Sequence, residues 1–156
     1  MLADFWEVIQ ESGGDPIKLY SVLAKRSSED IVSFAREFNR ALIKLNQWEI
    51  WGAGYVMAGG MSDDGFHYFR SWIIGRGKDA FETALVSPDD LGKFAALDDE
   101  FENESLEYVA LELLEEQGVP DPRGEFDVFP DDRPSGEAWN EDEVFAKYPK
   151  LAAQFG

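Results

Sequence analysis

The stretch Gly59-Gly60-Met61-Ser62-Asp63-Asp64-Gly65-Phe66-His67-Tyr68-Phe69-Arg70-Ser71-Trp72-Ile73-Ile74-Gly75-Arg76-Gly77 is the densest run of chemically capable residues in the chain. Ser62 and two carboxylates stand where a helix would begin. His67 and Arg70 follow Asp63 by four and seven positions, which puts Asp63, His67 and Arg70 on one helical face. A carboxylate and an imidazole so spaced could share a divalent metal or act as an acid–base pair, and Arg70 could hold an anionic substrate. Ser62, Asp63, Asp64 and Arg70 are the candidate binding set.

A plainer reading competes with this one and carries more weight. Ser62 caps the helix, Asp63 and Asp64 complement its dipole, and Arg70 makes a buried fork to a carboxylate. Metal sites need three or more ligands as a rule, and this chain has one His and no Cys. Ser62 has no identifiable base to activate it as a nucleophile. Gly75-Arg76-Gly77-Lys78 resembles a fragment of a phosphate loop but lacks the spacing and the preceding strand. No catalytic residue, metal or cofactor is assigned.

The elements that must position these groups read as helices. Phe5, Trp6 and Ile9 recur near the helical period before Gly13-Gly14, and Asp15-Pro16 forms an N-cap and N1 pair for a helix bearing Leu19, Val22 and Leu23. Ser27 with Asp30 resembles a capping box ahead of the clearest amphipathic helix, which carries Ile31, Phe34, Phe38, Leu42 and Leu45. Trp48 to Val56 is apolar nearly all round and reads as the buried central helix, with Trp48 and Trp51 in the core. The motif helix turns Phe66, Phe69, Trp72 and Ile73 inward, and a short helix with Phe81 and Leu85 follows. Ser87-Pro88-Asp89-Asp90 starts another, and the last long helix is expected from Glu102 to Gln117. A weak helix after Asn140 resumes after Pro149, and a brief alternation from Glu125 to Phe129 is the one strand candidate. The expected fold is an all-α, single-domain helical bundle over residues 1–117. An irregular, acidic, proline-containing extension over 118–156 packs on the same domain.

The motif resembles the core of domain-of-unknown-function family 4240, a set of small, mostly bacterial helical proteins reading Gly-Gly-x-Ser-Asp-Asp-x-Phe-x-x-Phe-Arg-x-Trp. Phe5-Trp6, Trp51-Gly52-Ala53, Phe81-Glu82 and Pro88-Asp89-Asp90-Leu91 also fit, so the resemblance spans roughly residues 4 to 117. Ile73 replaces the usual Leu, and Gly54 stands where Ala is expected. The resemblance implies a helical fold and no established activity.

Charge gives a second lead. The 156 residues hold 32 acidic and 14 basic side chains, and the last 59 hold 18 and 4 of them, a net of −14 out of −18. So acidic a chain repels nucleic acid and anionic membranes, and no apolar run approaches the 18 residues of a membrane span. The first residues lack the basic and apolar regions of a signal peptide, so a cytoplasmic location is expected. A large single-sign field steers a basic protein partner, and aromatics ringed by acids make anchors. Asp127, Phe129, Asp131, Asp132 and Trp139 are the candidate partner-binding residues. Runs such as Asp98 to Glu104 otherwise read as a solvated start to the last helix. The leading expectation is a non-enzymatic binding protein, for example an immunity-type inhibitor of a basic nuclease, acting as monomer or homodimer. The alternative is an enzyme with a small-molecule or anion pocket at the motif.

Overall fold

The computed structural model describes residues 4–123 and 133–156. Among them the chain forms α1 (Phe5–Ser12), α2 (Pro16–Ala24), α3 (Ser28–Lys44), α4 (Trp48–Ala58), α5 (Asp63–Gly75) and α6 (Lys78–Val86). A 3-10 helix (Pro88–Phe94), α7 (Glu104–Glu116), α8 (Val144–Lys147) and α9 (Pro149–Phe155) follow. No strand occurs among the described residues, only one isolated bridge between Gln47 and Ser135. The all-α expectation holds. The strand candidate at Glu125–Phe129 lies outside the described residues.

Local chemistry sets the helix starts. Asp15 accepts from the Ile17 amide, Ser27 from Asp30 and Ser62 from Gly65, at 3.0, 3.1 and 3.1 Å, each satisfying an amide with no partner inside its helix. Ser87-Pro88 opens a 3-10 helix instead of an α-helix. Asp89 turns away to accept from the amides of Lys150 and Leu151, and so caps α9 from a distance.

The central helix is α5, not α4. Phe66 and every residue from Phe69 to Ile74 are buried, and α7 packs on α2, α3 and α5. α4 buries Ile50, Ala53, Val56 and Met57 but leaves Trp48, Trp51 and Tyr55 half-buried. Gly54, where Ala was expected, has a physical reason: a Cβ there would lie 2.7 Å from the Phe69 ring and 2.8 Å from Met61 Sδ. Its absence lets α4 approach α5 closely.

The acidic run before α7 is largely solvated, as expected, with Asp98, Glu100, Glu102 and Glu104 exposed, and Asp99 is the one acid of the run drawn inward. α7 begins at Glu104, and the preceding loop turns on Asp99. Its carboxylate accepts from Trp72 Nε1 (3.0 Å), Arg76 Nη2 (2.7 Å) and the amides of Ala96 (2.9 Å) and Phe101 (3.0 Å). These bonds hold Asp98 and Phe101 at φ 58° and 57°, a left-handed conformation that is strained for a bulky side chain. Burial pushes the Asp99 carboxyl up, but the two amides and Arg76 outweigh it, so the group sits below the ordinary carboxylate range. Arg76 is thereby committed to Asp99, and the Gly75–Lys78 segment joins two helices.

Residues 133–156 pack against α4 and the 3-10 helix, burying Val144, Tyr148 and Leu151. Ser135 exchanges backbone bonds with Asn46 and Trp48 at 2.9 Å each. Trp139 Nε1 donates to the Trp48 carbonyl (2.7 Å) and Tyr148 Oη to that of Glu49 (2.5 Å). Gly52 permits this docking, because a Cβ would stand 2.7 Å from the Tyr148 hydroxyl and 3.0 Å from Trp139.

Candidate functional site

An open groove of about 700 Å³ lies between the start of α5 and the aromatic side of α4. Asp63, Asp64, Phe66, His67 and Arg70 line it from α5, and Asn46, Trp48 and Trp51 from the other side. Tyr68 and Tyr108 flank it toward α7, and Arg133 and Pro134 close it from the C-terminal segment. The structure therefore gathers the motif carboxylates and Arg70 at one cavity. Ser62 serves the helix cap, with its Oγ on the Gly65 amide.

Stacked rings form one wall. Trp48 and Trp51 lie 5.0 Å apart at 9°, Trp51 and Phe66 5.1 Å apart at 4°, and the Arg70 guanidinium carbon stands 4.8 Å from the Phe66 centroid. Trp139 meets Trp48 and Trp51 edge-on. Trp51 Nε1 donates to the Met61 carbonyl at 3.0 Å, tying this wall to the start of the motif. The expectation that Trp48 and Trp51 belong to the core holds in part: Trp51 packs against the core while lining the groove, and Trp48 is a half-buried groove residue outside it. Helical periodicity could not show this, since α4 is apolar on every face.

Arg70 is buried and donates to the Leu42 carbonyl (2.9 Å) and toward His67 Nδ1 (3.3 Å). An arginine has only donors, so Nδ1 accepts and the ring proton belongs on Nε2. Nε2 faces Glu107 Oε2 at 2.7 Å. The imidazole partner is therefore Glu107 on α7, not Asp63 four residues away. Arg123 joins the far side, 3.4 Å from Glu107 Oε1, and pairs with Asp121 at 2.9 Å. Hydrogen bonding from Arg123 keeps Asp121 below the ordinary carboxylate range. This network fixes α5 to α7. Among the described residues no three His, Asp or Glu side chains gather as a metal site.

Outside the groove, Glu104, Tyr108, Glu112 and Glu116 recur every four residues and make one exposed stripe along α7, with Glu115 beside it. Tyr108 belongs both to the stripe and to the groove. Burial first, then Glu104, raises the Tyr68 phenol above its ordinary value, with Tyr108 and Asp64 adding to it. Burial and then Glu107 and Glu104 raise Tyr108, and a hydrogen bond to Glu116 raises Tyr20. Three tyrosines thus sit in one acidic field. The four-residue spacing of this stripe is visible in the sequence, although the greater excess of acids lies further along the chain. Glu107 and Arg123 carry no such local signal.

Of the candidate partner-binding residues, Asp127, Phe129, Asp131 and Asp132 lie outside the described residues. Trp139 is half-buried against α4, with its indole nitrogen used internally.

No curated protein and no solved structure matches the chain. A family model does match, over residues 2–116, and its span contains the whole motif, both tryptophans of the groove wall and the α7 stripe. The chain belongs to the family described as protein of unknown function (DUF4240).

Proposed function

We propose that this chain is a non-enzymatic binding protein whose acidic surface engages a basic protein. The observation that carries the reading is the exposed stripe Glu104–Tyr108–Glu112–Glu116 on α7. Glu112 and Glu116 are like charges four apart, which destabilises a helix by about 0.2–0.5 kcal/mol, and only Glu104, in the first turn, gains from the dipole, so the stripe brings the isolated helix little advantage. Its advantage lies in a partner of opposite charge, which such a field draws in and orients. Tyr108 at its centre supplies an aromatic contact of the kind that anchors interfaces. An immunity-type inhibitor covering the basic cleft of a nuclease is one concrete form.

The alternative, an anion-binding enzyme at Ser62, Asp63, Asp64 and Arg70, has less support. Ser62 and Arg70 are engaged by the Gly65 amide and by the Leu42 carbonyl and His67. The two carboxylates beside them repel an anion.

The test is affinity capture from the cells of origin at low and moderate salt, with the wild-type chain and a Glu104→Lys/Glu112→Lys/Glu116→Lys variant. A basic protein held by the first and lost from the second supports the reading. Equal recovery by both, or recovery of acidic proteins alone, overturns it.

A further inference from the structure

The groove beside the stripe combines two surfaces that charge alone does not explain. Along the groove runs the ladder of Trp48, Trp51 and Phe66, in which Trp51 is stacked on both sides and Trp48 is the end ring, and indole faces attract cations more strongly than other aromatic rings do. The other surface carries Asp63 and Asp64, both exposed and neither with a hydrogen bond or ion pair to a described residue. Two cations, Arg70 and Arg133, line the same groove. Arg70 is buried against Phe66 and the Leu42 carbonyl, and Arg133 comes from the C-terminal side. A volume of about 700 Å³ suits side chains of a docked segment, and the net −18 of the chain favours a cationic one.

We propose that this groove receives an arginine of the basic partner, its guanidinium stacked on Trp48 at the end of the ladder and paired with the carboxylates of Asp63 and Asp64. Arginine fits better than lysine because its planar, weakly hydrated head both stacks on an indole and offers paired donors to a carboxylate. The proposal rests on the acidic-surface reading and names the contact at which that surface becomes selective.

The probes are short blocked peptides of arginine, lysine and citrulline, titrated into the full chain with ¹⁵N-labelled indoles. The arginine peptide is expected to move the Trp48 and Trp51 indole resonances saturably and to bind about fivefold tighter than the lysine peptide. The neutral citrulline peptide should not bind. Asp63→Asn/Asp64→Asn should weaken the arginine peptide about tenfold with an unchanged circular dichroism spectrum, and Trp48→Phe should narrow the preference over lysine. Glu112→Gln/Glu116→Gln, on the stripe, should weaken both cationic peptides alike. Equal binding of arginine and lysine, with Asp63→Asn/Asp64→Asn no worse than the stripe variant, overturns the arginine site and leaves the acidic-surface reading standing. Absence of binding by any cationic peptide, together with capture of no basic protein, overturns both.

Discussion

His67 on α5 and Glu107 on α7 meet at 2.7 Å, Nε2 to Oε2, across 40 residues of sequence. Glu107 is 8% exposed, and its second oxygen faces Arg123. Removing the carboxylate would take from both partners the acceptor that joins them at the α5–α7 contact. Glu107→Ala is expected to destabilise the fold by about 2–4 kcal/mol, and Glu107→Gln by less, since an amide oxygen can still accept from His67. Urea unfolding measures both. Asp63→Ala, at an exposed first-turn position, should cost under about 1 kcal/mol.

Gly52→Ala gives a prediction whose sign separates packing from propensity. Within a helix, Gly to Ala is worth about 1 kcal/mol of stabilisation. Here the new methyl would meet the Tyr148 hydroxyl at 2.7 Å and Trp139 at 3.0 Å. Overpacking of this kind costs about 1–3 kcal/mol, so the net change should be destabilising. Hydrogen exchange should show the loss concentrated in residues 135–155.

Stability should fall at both ends of the pH range, for different reasons. Asp99 sits below its ordinary 3.8 in the fold, so its contribution is complete above that value and is lost as pH drops through its folded value. Asp99→Asn should flatten the acid limb while lowering stability at neutral pH by about 2 kcal/mol, because Arg76 and two amides lose a charged acceptor. Tyr148 is pushed up to about 12, by burial first and then by Glu49 and Asp89. Its contribution is complete below its ordinary 10.0 and is lost as pH rises toward 12, because a phenolate cannot donate to the Glu49 carbonyl. That loss is on the order of 2 kcal/mol, and Tyr148→Phe should remove this part of the alkaline slope in denaturant titrations, leaving the part due to Tyr20, Tyr68 and Tyr108.

What was legible in the sequence is what local chemistry decides. Asp15, Ser27 and Ser62 cap the helices their positions suggest, because a cap needs only residues two or three places away. Asp99 defeats the same logic, because its carboxylate is claimed by four donors, two of them the distant Trp72 and Arg76 side chains. Trp48 stands at the groove and not in the core because α4 is apolar nearly all round, and only the arrival of Trp139 and Tyr148 decides which side is covered. The motif pointed to the groove through Asp63, Asp64 and Arg70. It assigned His67 a neighbour on its own helix, whereas the true partner comes from α7.

The central claim is that the α7 stripe binds a basic protein, and the most direct measurement is the affinity of the captured partner for wild-type chain and for Glu104→Lys/Glu112→Lys/Glu116→Lys, by calorimetry at two salt concentrations. Loss of about tenfold or more in the variant, with a steep salt dependence for wild type and a shallow one for the variant, is the predicted result. Equal affinities with equal salt dependence, in a variant whose circular dichroism matches wild type, would contradict it.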